Sequence, residues 1–383
     1  MFLRLPQWQQ AMSDYQFGIE EEYFISDLRS KTVRSRMSKR FFRACKKALG
    51  DRVMNEMLQS QIEVATAPCQ TMEEARNQLR RFRETLANRA VGHGLGIVAA
   101  GTHPLALWHE QEQTAKDRYG PIMADLQLVG RRDMLCGMHV HVEVPDPDGR
   151  VEIMYRALPF LPIFLALSTS SPFWQAHRTG LRGYRQAAYD ELPRFGLPDL
   201  FKTLEEYQSY VDTLIAAGVI QDASFIWWVI RPSLRNPTLE LRIADVCTQV
   251  EDALCIAALF RCLVKHLSEQ EDLNAEIGPV ARAIAGENKW RAQLYGTSAH
   301  FVDQRSMKSI SIDIVLQELL ERLEADAKAL DCVGEISRAV EILKRGSSAD
   351  QQLRVYEEAR ATGHNRVQAL KQVVDWLQQE TIR

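Results

Sequence analysis

The chain has 383 residues, of which 46% are hydrophobic and 25% charged, with a formal net charge of -3. That length supports a large buried core, and the near-neutral balance offers no general basic field, so nucleic-acid binding is not expected. Seven cysteines, odd in number and without a CxxC pair, point to reduced thiols rather than a disulfide framework or zinc knuckle. No run of about eighteen apolar residues occurs, so the reading is a soluble protein of the cytoplasm without a membrane span.

Taken in order, Phe17 to Ile25 (FGIEEEYFI) reads as a strand, followed by a polar loop from Asp27 to Arg36 and a helix from Met37 to Leu49. A strand from Gln59 to Ala65 precedes Thr71 and Glu74, which fit a capping box. The helix they open carries Met72, Ala75, Leu79, Phe82, Leu86 and Ala90 on one stripe and can end at Gly92. Leu95 to Ala100 reads as a buried strand leading into the turn Gly101-Thr-His-Pro104. Lys116 to Leu135 reads as a helix interrupted at Gly120-Pro121, and Gly137 to Val144 as a strand closed by a turn from Pro145 to Gly149. A buried helix over Glu152 to Leu167, kinked around Pro159 and Pro162, then gives way to a long irregular segment, Ser168 to Pro198. Next come a helix from Leu204 to Ala217, a strand from Ala223 to Ile230, a loop from Arg231 to Pro237 and a strand from Thr238 to Ile243. From Glu251 the pattern is almost wholly helical, with segments near 251–268, 279–295, 310–330, 333–345, 349–361 and 364–379. The economical description is one α+β domain over 1–383, with sheet-forming residues mostly in 1–250 and a helical part in 251–383.

Side chains on a strand alternate between faces, and four of these strands share one pattern. Glu20 and Glu22 point one way while Ile19, Glu21, Tyr23 and Ile25 point the other. Ile62 and Val64 oppose Gln61 and Glu63. Met138, Val140, Val142 and Val144 oppose His139, His141 and Glu143, and Leu239, Leu241 and Ile243 oppose Glu240 and Arg242. A sheet face that gathers Glu20, Glu22, Glu63, His139 and Glu240 suits hard divalent cations, which take oxygen donors with an occasional imidazole. His141 and Glu143 share that face and can orient His139. Each acidic run taken alone also fits a solvated strand face.

Arg231, Arg235 and Arg242 fall within one short segment beside Glu240. Guanidinium forks match phosphate oxygens, and a polyphosphate needs cations as well as metal-binding carboxylates; a surface salt-bridge ladder is the other reading of the segment. No GxxxxGK[ST], GxGxxG or GxSxG sequence is present, so a nucleotide would be held by some other architecture and no covalent nucleophile is indicated. His103 and His177 are lone histidines that read as structural.

The ordered set GIEEE, SQIEVAT, GTHP followed by Trp108 and Gln111, Arg118-Tyr119, CGMHVHVEVPD, LSTSSPFWQ, IRPS, TLELRIAD and ENKWRAQLYG resembles the bacterial carboxylate-amine ligases, the glutamate-cysteine ligase type 2 family. The resemblance implies a glutamine synthetase-like catalytic fold, a curved, mainly antiparallel sheet with outer helices. It implies Glu20, Glu22, Glu63, His139 and Glu240 as ligands of magnesium, with manganese as the alternative ion. It also implies Arg231 and Arg242 as phosphate contacts of ATP joined by Arg235, and Ser171, Thr179, Tyr184 and Arg185 as part of the substrate pocket. In such ligases ATP converts a carboxylate to an acyl phosphate that an amine then attacks, here with glutamate and an amine such as cysteine as the implied pair. Glu143 and Arg178 depart from the family pattern and would bring charge near the substrate region. A guanidino-kinase-like phosphotransferase and a non-catalytic nucleotide-binding protein are the rival readings, and the helical C-terminal surfaces are compatible with a homodimer.

Overall fold

Alternation in Phe17 to Asp27 is what organises the molecule: Ile19, Tyr23 and Ile25 are buried on one face, and the carboxylates of Glu20 and Glu22 stand on the other. The structure, a computed structural model, describes residues 15–114 and 119–383. Its strands are β1 (Phe17–Asp27), β2 (Val53–Asn55), β3 (Gln61–Ala65), β4 (Leu95–Val98), β5 (Met138–Glu143), β6 (Phe173–Trp174), β7 (His177–Arg178), β8 (Ile230–Pro232), β9 (Thr238–Leu241), β10 (His300–Asp303) and β11 (Lys308–Ser311). The main sheet runs β2-β3-β1-β5-β9-β8, and each of its pairings is antiparallel. β1 is long enough to pair with β3 on one edge and, on the other, with β5 and then β4. The α+β architecture expected from the alternation is therefore the one observed.

The apolar face is covered by the helix Met72–Val91, whose Thr71–Glu74 capping box is formed, and by the helix Val250–Glu269. Glu21 lies on this face and is fully buried. Its carboxylate receives both Nε and Nη2 of the buried Arg83, and the Tyr23 hydroxyl donates to it as well. Arg83 also donates to the carbonyls of Thr248 (2.6 Å), Cys247 (2.8 Å) and Thr381 (3.2 Å). One guanidinium thus ties β1 to the segment that opens the long helix and to the last helix, Arg366–Thr381. The C-terminal helices pack back onto the sheet, and Thr381 also accepts at Oγ1 from the Ala99 amide at 3.0 Å.

Several boundaries differ from the sequence reading. Pro147 opens a helix to Ala157, because Asp146 caps the amides of Asp148 (3.2 Å) and Gly149 (3.1 Å) where a turn was expected. The expected proline interruption follows as a turn at Leu158–Phe160 before the helix Leu161–Ser168. The span Pro147–Ser168 is apolar enough to cross a membrane by composition, but 83% of its apolar window is buried in the fold. The helix Tyr119–Arg131 departs from helical geometry at Gln127 (φ 50°, ψ −126°) instead of at Gly120-Pro121. Ala223 to Ile230 does not form a strand. It begins with a short turn at Ala223–Phe225, and the amides of Trp227 and Val229 bond to the carbonyls of Arg194 (2.9 Å) and Gly196 (3.0 Å), so this aromatic run pairs with a loop. The strand there is Ile230–Pro232, which puts Arg231 on the sheet and not in a loop. The irregular segment 168–198 contains β6, β7 and the helix Tyr184–Tyr189, and a β10–β11 hairpin precedes the helix Ile312–Ala329.

Candidate active site

The sheet register sets the polar side chains in rows. Glu22 is paired with Glu63, Glu20 with His139, His141 with Glu240, and Glu240 with Arg231. Directly opposed residues approach closely across a ladder, so five strands deliver these groups to one patch without any loop. His139 Nδ1 lies 3.2 Å from Glu20 Oε2, and its Nε2 lies 4.0 Å from Glu22 Oε1. His141 bonds Thr238 Oγ1 through Nδ1 at 3.0 Å, which leaves Nε2 facing Glu20 Oε1 at 3.4 Å and Glu240 Oε1 at 4.0 Å. Arg231 grips Glu240 with Nε at 2.7 Å and Nη2 at 3.3 Å, and Arg242 Nη1 donates to the same carboxylate.

Charge is distributed unevenly along this row. At the β8–β9 end, Glu240 is held well below the ordinary carboxylate range; burial acts upward, but Arg231 and Arg242 outweigh it. Glu20 is lowered too, burial being outweighed by His141 and His139. His141 is raised because Glu20 and Glu240 overcome its burial, whereas burial and Arg242 bring His139 down to about 4. At the β1–β3 end the balance reverses. Burial and Glu56 push Glu22 up to about 8 and Glu63 well above the usual range. Carboxyls crowded here, which Arg185 and Arg242 offset only in part at Glu22, are the chemistry of a divalent-cation site.

Two observations test that fit. One ligand atom each from Glu20, His141 and Glu240 lies within 4.8 Å of the others, and His141 Nε2 is buried with no hydrogen-bond partner. The donor set of carboxylate oxygens and imidazole suits magnesium or manganese. His141, read from the sequence as an orienting group for His139, thus belongs to the patch as a donor in its own right.

The patch lines a cavity of about 490 Å³ that also takes in Arg231, Arg235 and Arg242. Ser171, Thr179, Tyr184 and Arg185 are not among the residues that line it. Ser171 is buried, with Oγ donating to Asp245 Oδ2 at 2.7 Å; Thr179 bonds the Pro172 carbonyl at 3.0 Å; and the Tyr184 ring packs against Trp174 at 5.4 Å. Arg185 runs beneath the floor, donating to the Ala244 carbonyl at 2.9 Å and lying 4.9 Å over the Tyr189 ring. Its Nη2 passes where a Cβ on Gly137 would stand only 2.0 Å away, so the glycine is required there by space, and the Gly137 amide donates to Glu22 Oε2 at 2.5 Å. Arg178 is exposed, pairs with Glu357 and lies outside the cavity wall, as does the buried Glu143. Arg118 lies outside the described residues.

The cavity also contains residues that the sequence reading did not select: Glu56, Asp133, Tyr189, Phe195 and Trp227. Asp133 is pushed up to about 7 by burial and by Glu56. None carries a local signal. Asp133 is a single acid after a helix, and Phe195 and Trp227 read as ordinary core aromatics.

Residues 16–370 match the profile described as Glutamate-cysteine ligase family 2. A Bradyrhizobium protein (strain BTAi1) named "Putative glutamate--cysteine ligase 2" is 47% identical over 375 residues, covering 97% of this chain and 89% of that one. A Rhodospirillum rubrum protein of the same name is 46% identical, covering 95% of each chain. Among solved structures, a bifunctional glutathione synthetase from Pasteurella multocida superposes with a TM-score of 0.72 at 13% identity, over 96% of this chain and 52% of that one. A glutamate-cysteine ligase from Francisella tularensis in complex with AMP gives 0.68 at 13% identity, over 97% and 89%. At such identity the likeness carries the fold, the open antiparallel sheet with outer helices that the sequence led us to expect.

Proposed function

Because the chain belongs to the glutamate-cysteine ligase family 2 and is thereby an ATP-dependent carboxylate-amine ligase, we propose that it activates the γ-carboxylate of glutamate as an acyl phosphate and joins it to a small amine such as cysteine. Membership of a ligase family sets aside the guanidino-kinase and non-catalytic readings. Glu20, Glu22, Glu63, His139 and Glu240, with His141 added, would hold magnesium ions, and Arg231 and Arg242, with Arg235 at the rim, would meet the phosphates. Bound magnesium would neutralise phosphate charge and orient the transferring phosphoryl group.

The remaining work falls to the chain's own side chains. Arg231 and Arg242 present planar donors to oxygens whose negative charge grows as the γ-phosphoryl leaves ADP. A carboxylate oxygen attacks that phosphorus, giving the acyl phosphate and ADP. The amine nitrogen then bonds to the acyl carbon, the C–O bond to phosphate breaks, and the nitrogen loses a proton. The half-closed cavity orients both partners and limits water that would hydrolyse the acyl phosphate. The single observation that supports this reading is the cross-strand row itself, carboxylates at one end and arginines at the other around a patch with metal-donor chemistry.

The test is phosphate release from ATP and magnesium with glutamate constant and a panel of amino acids and amines varied, with each product weighed by mass spectrometry. A product equal to the two substrates minus water, formed with stoichiometric phosphate, is expected. A phosphorylated product without phosphate release would overturn the reading.

A further inference from the structure

The cavity has an apolar lobe that the phosphate-transfer machinery does not use. Tyr189, Phe195 and Trp227 form a continuous stack, with ring centroids 4.7 Å apart at 18° and then 5.3 Å apart at 25°. Leu126, Leu135 and Leu192 share the same cavity wall. Within this apolar setting stands one carboxylate, Asp133. Its Oδ1 is shielded from solvent and, among the described residues, has no hydrogen-bond partner. A buried acceptor left unpaired is costly, and a donor from a bound molecule removes that cost.

Charge decides what that donor is. Among the described residues, the arginines whose charge reaches Asp133 have other partners: Arg242 donates to Glu240, and Arg185 donates to the Ala244 carbonyl, lies 3.8 Å from Asp245 and packs over the Tyr189 ring. Phosphates suit the Arg231–Arg242 end of the row. Beside the stack, Asp133 and Glu56 are two acids of the same cavity wall, and Glu56 acts directly on Asp133, a setting that disfavours anions and suits an ammonium group. The lobe therefore joins a negative anchor to an aromatic and aliphatic wall, a combination that selects a cation with an apolar body.

Resting on the ligase reading, we propose that this lobe is the acceptor subsite and that it takes an amine with an apolar, preferably aromatic, body whose ammonium group pairs with Asp133. A polar acceptor of the same size would leave the stack and the leucines without complementary contact. An acidic acceptor would place its charge among carboxylates. Asp133 is then a specificity-determining residue.

The experiment is calorimetric titration of the full chain with 2-phenylethylamine and with ethanolamine, using the wild type, Asp133→Asn and Leu126→Lys. Leu126→Lys puts a cation into the same lobe from a different element. The wild type is expected to bind 2-phenylethylamine at least tenfold more tightly than ethanolamine. Either variant is expected to weaken 2-phenylethylamine at least tenfold while magnesium-ATP binding stays within twofold. Preference for ethanolamine overturns the proposal, as does unchanged amine binding in both variants. Loss of magnesium-ATP binding in both variants would instead give the lobe to the nucleotide base and equally overturn it. Amine binding requires no phosphoryl transfer, so failure of the ligase reading, seen as no phosphate release with any substrate pair, registers separately from failure of this subsite.

Discussion

Replacing Arg83 with methionine tests how the fold holds the site in register. The substitution keeps most of the side chain's length but removes both guanidinium bonds to Glu21 and those to the carbonyls of Cys247, Thr248 and Thr381. Arg83 and Glu21 are 1% and 0% exposed, so the glutamate is left as an uncompensated charge inside the protein. Breaking a buried pair from one side costs about 3–5 kcal/mol. With an unfolding entropy of about 2.1 cal/mol/K per residue, 383 residues give about 0.8 kcal/mol/K, so Tm is expected to fall by about 4–6 °C. Differential scanning calorimetry on the wild type, Arg83→Met, Glu21→Gln and the double variant reads the effect. The double variant is expected to be more stable than Arg83→Met alone, because the charge has gone with its partner. A Tm for Arg83→Met within 1 °C of the wild type would refute the argument that this pair anchors β1.

Glu240→Gln is expected to lower turnover by about 100-fold or more with the melting transition retained, since it removes a charge needed as phosphoryl transfer proceeds; steady-state kinetics with unchanged magnesium dependence and rate would remove Glu240 from the site. Arg242→Ala is expected to raise the KM for ATP by about tenfold or more, and unaltered ATP affinity and turnover would count against a phosphate role. His103, lowered to about 3 by burial, stays neutral in the fold while the unfolded chain takes up a proton near pH 6.5. Stability is thus lost as pH falls below 6.5, by about 2 kcal/mol from this group between pH 7 and pH 5. Urea denaturation at both values should show a smaller loss in His103→Gln, and an identical loss would show that His103 is not buried neutral.

Legibility from the sequence followed the range of the interactions. Alternation in FGIEEEYFI, HVHVE and TLELRI is a local property, and it placed Glu20, Glu22, His139 and Glu240 on the polar faces of their strands because each strand fixes its own faces. The same rule sent Glu21 to the core, but its partner Arg83 lies on a helix far along the chain and nothing local announces the pair. Ala223 to Ile230 has a strand-like composition, yet its amides found a loop near Arg194 and not a sheet edge, a choice that only tertiary packing makes. Ser171 and Arg185 do not line the cavity, and a motif gives no depth from which that could be read. Asp133 and the Tyr189–Phe195–Trp227 stack come together from separated segments, so their shared lobe is visible only once the chain is folded.

The most direct test of carboxylate activation at this site is an isotope experiment on the wild-type enzyme. Glutamate labelled with oxygen-18 in its γ-carboxylate is turned over with ATP, magnesium and the accepted amine, and the released phosphate is analysed by mass spectrometry. An acyl phosphate requires the carboxylate oxygen that attacked phosphorus to leave with it, so each phosphate should carry one heavy oxygen. Phosphate free of the label, with amide still forming, would contradict the account.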